Sequence, residues 1–312
     1  MKAFASWKLS ITLVFAIAGC CMLHAADMTT ASPAPTTTAV AAPAAAASPV
    51  APPTPAAAPQ ATDSPMPAYQ SLRQNELWPD GQSGDFFSPL KHIDLNPSGS
   101  VWVSIGGQVR ERVESWGNFN LDTPSSAIHS DTFGLTRVML HTDFHFGKYV
   151  RIFAESKSAL STNRDLTGGL RTSDVDVIDV QALFTEFYVP VNERVSFTPR
   201  IGRQDMEFGK SRLVSAGNWS NSRKTFDGVT GALSFYGWSL TGGWVHPVVI
   251  SKYAIDQADT HTNFFIAYAT GKVPHTKVNA DAYWFEYDRP TASYNGKTGV
   301  EQRYTTGGRL FG

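Results

Sequence analysis

From Val101 onward the chain is a run of segments whose hydrophobicity alternates with period two. The joints between these segments are of two kinds that take turns. Residues 147–148, 191–194, 237 and 271–275 are short joints; residues 117–131, 160–176, 205–223, 247–261 and 289–302 are long and polar. Period two puts apolar side chains on one face and polar ones on the other, which is the pattern of a strand. A soluble sandwich would not be expected to sort its loop lengths so regularly. A membrane barrel does so, with short periplasmic turns, long extracellular loops and wall strands of about ten residues. The expected fold is therefore all-β, an antiparallel up-and-down transmembrane β-barrel.

The opening residues address the chain to the envelope. Lys2 and Lys8 precede an apolar run over residues 9–19 and then small residues, the pattern of a secretory signal peptide. The run is too short to cross a bilayer as a helix. Cleavage could follow Ala25 or so. Alternatively, Ile17-Ala18-Gly19-Cys20 has the form of a lipoprotein box with Cys20 acylated. Cys20 and Cys21 are the only cysteines, so a mature body without them holds no disulfide despite an oxidising compartment. The expected divisions are a signal peptide at residues 1–26 and an Ala/Pro/Thr-rich disordered linker at 27–67. A periplasmic lead-in at 68–99 packs at the periplasmic mouth or enters the lumen, and the barrel occupies 100–312. The linker composition cannot bury a core. A formal net charge of −1 gives no global basic field and no case for nucleic acid.

Alternation assigns the faces. In the first strand Val101, Val103, Ile105, Val109 and Val113 share one side, against Ser104, Gln108, Arg110, Arg112 and Glu114. In the second, Val138, Leu140, Phe144 and Phe146 oppose Arg137, His141, Asp143 and His145. In the third, Val150, Ile152 and Ala154 oppose Arg151, Glu155 and Lys157, and in the ninth Val278, Ala280, Ala282 and Trp284 oppose Lys277, Asn279 and Asp281. In a barrel the charged side lines water and the aliphatic side meets lipid. Three features break the pattern. Pro199 cannot donate to a ladder, which predicts a bulge or local break; Glu111 and Glu186 fall on nominally lipid-facing positions; and residues 238–249 are glycine-rich and alternate poorly.

Two blocks carry a family resemblance. Lys91-His92-Ile93-Asp94-Leu95, followed by Gly106-Gly107-Gln108-Val109-Arg110-Glu111-Arg112, resembles the opening of the alginate-export family of outer-membrane barrels. Arg200-Ile201-Gly202-Arg203-Gln204-Asp205, with Gly209 and Arg212-Leu213, resembles that family's Gly-Arg-Gln strand end and the loop after it. Asn218-Trp219, Arg223 and Phe226-Asp227-Gly228-Val229 continue the match. The resemblance covers roughly residues 90–302. It implies a large single-chain barrel, eighteen-stranded in the alginate exporter itself, that conducts an anionic polysaccharide; it does not single out alginate as the cargo. Nine complete strands are expected here, with a tenth beginning over residues 303–311. The expectation is thus a truncated larger barrel, the alternative being a compact ten-strand one.

Chemistry in such a channel is electrostatic. A polyuronate carries one carboxylate per sugar, and rings of Arg and Lys select anions. Arginine suits the task because its planar fork binds carboxylate at two points and keeps its charge. The candidate lumen contacts are Arg110, Arg112, Arg137, Arg151 and Arg200, then Lys157 and Lys277. The competing reading is that these pair with Glu114, Asp143, Glu155 and Asp179 and simply hold the wall in shape. Arg203, Arg212, Arg223 and Asp227 are expected to fix the extracellular loop by ion pairing; Arg203 has lipid-side parity unless a bulge at Pro199 or a rim position moves it. His141, Asp143 and His145 share a face, but such spacing spans about 13 Å on a strand, so no metal is expected, and no cofactor either.

Three function classes follow. The leading one is an outer-membrane channel exporting an anionic polysaccharide, with outer-membrane lipid and periplasmic export-machinery proteins as partners. The alternative is a substrate-specific porin for small anionic solutes, which would have a loop folded into the channel. An outer-membrane enzyme would need a Ser/His/acid constellation, and His92, His129, His246, His261 and His275 sit in no such motif; enzyme activity is not expected.

Overall fold

The computed structural model describes residues 69–76, 78, 86–119 and 129–312; the expected signal peptide, the box at Cys20 and the linker lie outside them. Thirteen strands follow in order: β1 (Ile93–Asp94), β2 (Val101–Trp116), β3 (Asp131–Phe146), β4 (Val150–Thr162), β5 (Asp176–Phe187), β6 (Val189–Asn192) and β7 (Val195–Gln204), then β8 (Phe226–Phe235), β9 (Trp238–Val249), β10 (Gln257–Ala258), β11 (Asn263–Lys272), β12 (Asn279–Tyr294) and β13 (Lys297–Phe311). All belong to one antiparallel sheet, ordered β1-β2-β3-β4-β5-β7-β8-β9-β11-β12-β13, with β6 beside β7 and β10 beside β9. Sequence neighbours are thus spatial neighbours, the up-and-down topology expected. Among the described residues no ladder joins β13 back to β2.

The wall has the polarity of a soluble protein turned inside out. Val109, Val113, Leu140, Ile178, Ile201 and Leu310 are exposed on one face. Arg137, Arg151, Lys157, Asp179 and Gln181 are buried on the other. Water-soluble domains bury the first group and expose the second; only an apolar surrounding reverses the preference.

The polar face is also the inner face of a curl. Phe208, in the segment after β7, stacks on Tyr268 of β11 with ring centroids 4.8 Å apart. Further along, the Asn218 carbonyl accepts from Arg110 of β2 and Arg137 of β3. On a flat sheet those strands stand roughly 30–40 Å from β11 and β12, at about 4.8 Å per neighbour. Ten residues reach about 35 Å only when fully extended, and this stretch turns back on itself through Gly209, Ser211 and Gly217, all at positive φ. The sheet must bend around the segment.

Four expectations need correction. Residues 289–302 are not a long loop: β12 and β13 run through them and meet at Asn295-Gly296, both at positive φ (48° and 74°). That is the Asn-Gly hairpin signal, which shortens the connection to two residues. Pro199 interrupts nothing on its β8 side, where the register runs unbroken through Pro199↔Gly231; the discontinuity sits on the other edge, where β5 ends at Phe187 and β6 resumes at Val189. Glu186 faces inward, buried against Arg151 and Arg200. Its parity is flipped by a bulge in β5, where Glu155 pairs Ala182 but Ser156 pairs Val180, so that Gln181 is the extra residue. Finally, Lys277 lies exposed in the turn between β11 and β12 and contributes nothing to the polar face.

Candidate functional site

Two stretches of chain occupy the polar face: residues 69–78 and the loop 205–225. The loop is amphipathic along its length. Its root carries Met206, Phe208 and Val214, which pack into one cluster with Val245, Phe264, Ile266, Tyr268 and Phe285 from β9, β11 and β12. Its tip, Asn218–Ser220, lies over the arginines of β2 and β3. The expected uniformly polar lumen is therefore replaced, on β11 and β12, by an aromatic wall whose apolar partner is the loop root.

At the tip, guanidinium groups bind consecutive backbone carbonyls. Arg110 donates to Asn218 O (2.7 Å) and Ser220 O (2.8 Å). Arg112 donates to Trp219 O (2.5 Å). Arg137, fully buried, donates to Asn218 O, Ser220 O and the side chains of Gln108 and Asn218. The planar fork makes this possible, since one guanidinium can serve two acceptors at once. Asn221 extends the latch by donating to Thr136 O, Leu160 O and Asp174 O. Arg112 also faces Glu114 at 2.8 Å. Arg110 and Arg137 make no ion pair among the described residues; their acceptors are neutral.

The remaining cations are matched. Arg151 holds Asp143 in two-point fashion at 2.7 and 2.8 Å and also Glu186. Arg200 pairs with Glu186 at 2.6 Å and lies over the Phe184 ring. Lys157, Asp176, Asp179 and Asp256 form a buried cluster, with the ammonium 2.6 Å from Asp176 and 3.3 Å from Asp256. Arg203 closes the cluster through Asp179 (3.1 Å) and also grips Asp227 (2.8 Å). The three aspartates come close enough to hold an ion, but Lys157 and Arg203 already supply cations there. Asp176 and Asp179 reach one face from three residues apart because a second register shift intervenes; without it period two would part them. Burial pushes Asp256 above the ordinary carboxylate range.

The loop is tied down again at its exit. Arg223, 1% exposed at its side chain, pairs with Asp205 at 2.7 Å and donates to Ser71 O. Burial raises the Asp205 carboxyl against the pull of Arg223. Arg212 is exposed, with no ion pair among the described residues. Residues 69–78 follow the same face: Arg151 donates to Gln74 O, and Gln74 donates to Asp205 O. Lys91 lies over the Tyr69 and Trp78 rings at 5.1 and 5.0 Å. A Cβ at Gly106 would meet its Nζ and the His141 ring, which explains a glycine in the first resemblance block. The space left between this segment and β7–β8 is a cavity of about 90 Å³, room for a few waters.

His141, Asp143 and His145 do line one face, yet each has a different neighbour. His145 stacks on Trp102 and meets Asp143, while His141 approaches Glu155 at 3.9 Å. Sequence reasoning missed Asp176, Asp256 and Glu186 as partners of the basic residues. Bulges hid the inward parity of Glu186 and the alignment of Asp176 with Asp179, and no local signal ties residue 256 to residue 157.

Residues 101–312 match the protein family described as Alginate export. No curated protein matches the chain.

Proposed function

The chain belongs to the alginate-export family, and from that premise we propose that its strands form the wall of an outer-membrane channel for an anionic polysaccharide. The observation that carries the reading is the pair Arg110 and Arg137. Each is bound only by neutral oxygens among the described residues, so positive charge on the inner face is left uncancelled. Fixed charge in a low-dielectric wall attracts counter-ions along the path. The matched pairs, Arg151–Asp143 and Arg200–Glu186, shape the wall without adding net charge.

The inward loop 205–225 is the feature expected of a small-anion porin. It does not separate the two readings alone, because the same loop can restrict a polymer path; family membership weighs toward the polymer. Reconstituted in planar bilayers under a salt gradient, the protein is expected to be anion-selective. Arg110→Glu with Arg112→Glu should abolish that selectivity, and an unchanged reversal potential would refute the reading. Vesicles carrying the protein should release an oligouronate faster than a neutral oligosaccharide of equal length.

A further inference from the structure

We propose that Trp219, seated on Arg112, is a stacking platform for a uronate residue of the polymer. The inference rests on the channel reading above and names a binding subsite within it.

The geometry starts with the turn. Gly217 takes positive φ (67°), and Ser220 N–H bonds back to Gly217 O at 3.0 Å. Asn218 and Trp219 are the two central residues. The carbonyls of Asn218, Trp219 and Ser220 are each held by guanidinium donors from β2 and β3. The backbone beneath the indole is therefore clamped, and little ordering remains to be done when a ligand arrives.

The indole itself is 79% exposed, although the turn carrying it is fixed against the wall. A tryptophan that served packing would be covered. Nor does it belong to an interfacial belt facing lipid. Its ring lies 4.6 Å from the Arg112 guanidinium carbon, and Arg112 projects from the polar face of β2. One face of the ring is thus supported by a cation and the rest stands open to the aqueous side.

That combination matches the two faces of a sugar acid. The axial C–H groups of a pyranose present an apolar patch to the indole face, and the carboxylate at its edge seeks a guanidinium. Arg112 uses one terminal nitrogen on Trp219 O and its Nε faces Glu114, which leaves its other terminal nitrogen for a ligand. The cation beneath the ring also draws on its π-face, so the sugar binds a surface already held in place. A single shallow contact of this kind suits conduction, since a polymer must leave as readily as it arrives.

The test is block of the ion current by a short oligouronate, with a neutral maltooligosaccharide of equal length alongside. Trp219→Ala should weaken the oligouronate block about tenfold, the effect of losing roughly 1.4 kcal/mol. Trp219→Tyr should keep most of the block. Heat-modifiable mobility on gels confirms that each variant has assembled. Unaltered block in assembled Trp219→Ala overturns the platform while leaving the channel reading intact. Equal block by the neutral oligomer overturns the uronate assignment. An anion-selective wild type that the oligouronate neither blocks nor crosses overturns the polysaccharide reading, and the platform falls with it.

Discussion

The inner face of this sheet is built in two styles. On β2–β5 it is ionic: Arg137, Arg151 and Lys157 are buried, and every one of them spends hydrogen bonds on backbone carbonyls or carboxylates. On β11 and β12 it is aromatic: Phe264, Tyr268 and Phe285 are buried, each stacked against a ring from a neighbouring strand or from the loop. The loop 205–225 spans the two and is written to match, apolar at Met206, Phe208 and Val214 and carbonyl-presenting at Asn218–Ser220. A bridge with unlike ends can be tested at each end separately. The aromatic end is held by burial, worth about 1.5–3 kcal/mol for each fully buried side chain; the ionic end is held by directional bonds to charged groups, each about 1.5–3 kcal/mol.

The largest effect should come from spoiling the apolar end. Val214 is 5% exposed within the cluster of Phe264, Ile266 and Tyr268. Val214→Asp would bury a carboxylate there without a partner, at a cost of several kcal/mol. The loop root should detach, and trypsin should cut at Lys210 and Arg212, both exposed in sequence just before it, on the order of 100-fold faster. Cleavage at the wild-type rate would mean that the ionic tip alone holds the loop, and the two-ended description would be wrong.

A somewhat smaller effect is expected at the other end. Arg137→Met removes the donors to Asn218 O, Ser220 O and the Gln108 and Asn218 side chains while keeping bulk. The loss should be on the order of 2–4 kcal/mol, read as roughly 30- to 1,000-fold faster hydrogen exchange at Asn221 and Ser222. Their amides are bonded to Ser173 O and report docking of the tip. Arg137→Lys should not rescue, because a point charge cannot serve several acceptors in one plane. Full rescue by lysine would show that charge, rather than the fork, is what the tip requires.

The difference between the two walls also explains what could be read in advance. Period two and alternating joint lengths were enough to place the wall strands and to set Arg110, Arg112, Arg137, Arg151 and Lys157 on one face, because in-register strands keep parity. The same rule failed at β5, where Gln181 is an extra residue and every assignment beyond it flips, Glu186 among them. It failed at Lys277 because a residue adjoining a strand was counted as part of it. The aromatic wall was legible in principle, since Phe264, Ile266 and Tyr268 alternate as cleanly as any segment. Nothing in that alternation says which side is lipid, and only the loop's own apolar root decides it. The arginine partners were the least legible of all: Asn218 and Ser220 act through backbone carbonyls, which any residue type supplies. The Asn295-Gly296 turn, by contrast, was plainly written and simply overlooked.

The smallest expected effect separates the two loops that meet at the ionic end. Ser173 O accepts from Asn221 and Ser222, so loop 163–175 supports the tip of loop 205–225. Their carboxylates are poised oppositely. Burial alone would raise Asp174, but the side-chain hydrogen bonds from Arg171 bring its carboxyl below the ordinary value. A folded pKa below the unfolded one contributes stability that is present above the unfolded pKa, about 4, and lost as pH falls through the folded value. Asp205 is shifted upward by burial; it holds a proton more tightly when folded, so its contribution weakens as pH rises from about 4 through its folded value. Acidification from neutrality to just above pH 4 should therefore leave Lys224, whose amide bonds to Ala216 O, at least as protected as before. Only below about pH 4 should Asp174 and Val175, bonded to Arg171 O, begin to exchange faster once intrinsic rates are corrected. Earlier loosening of Lys224 than of Val175 would reverse the assignment and make Asp205 the weaker anchor.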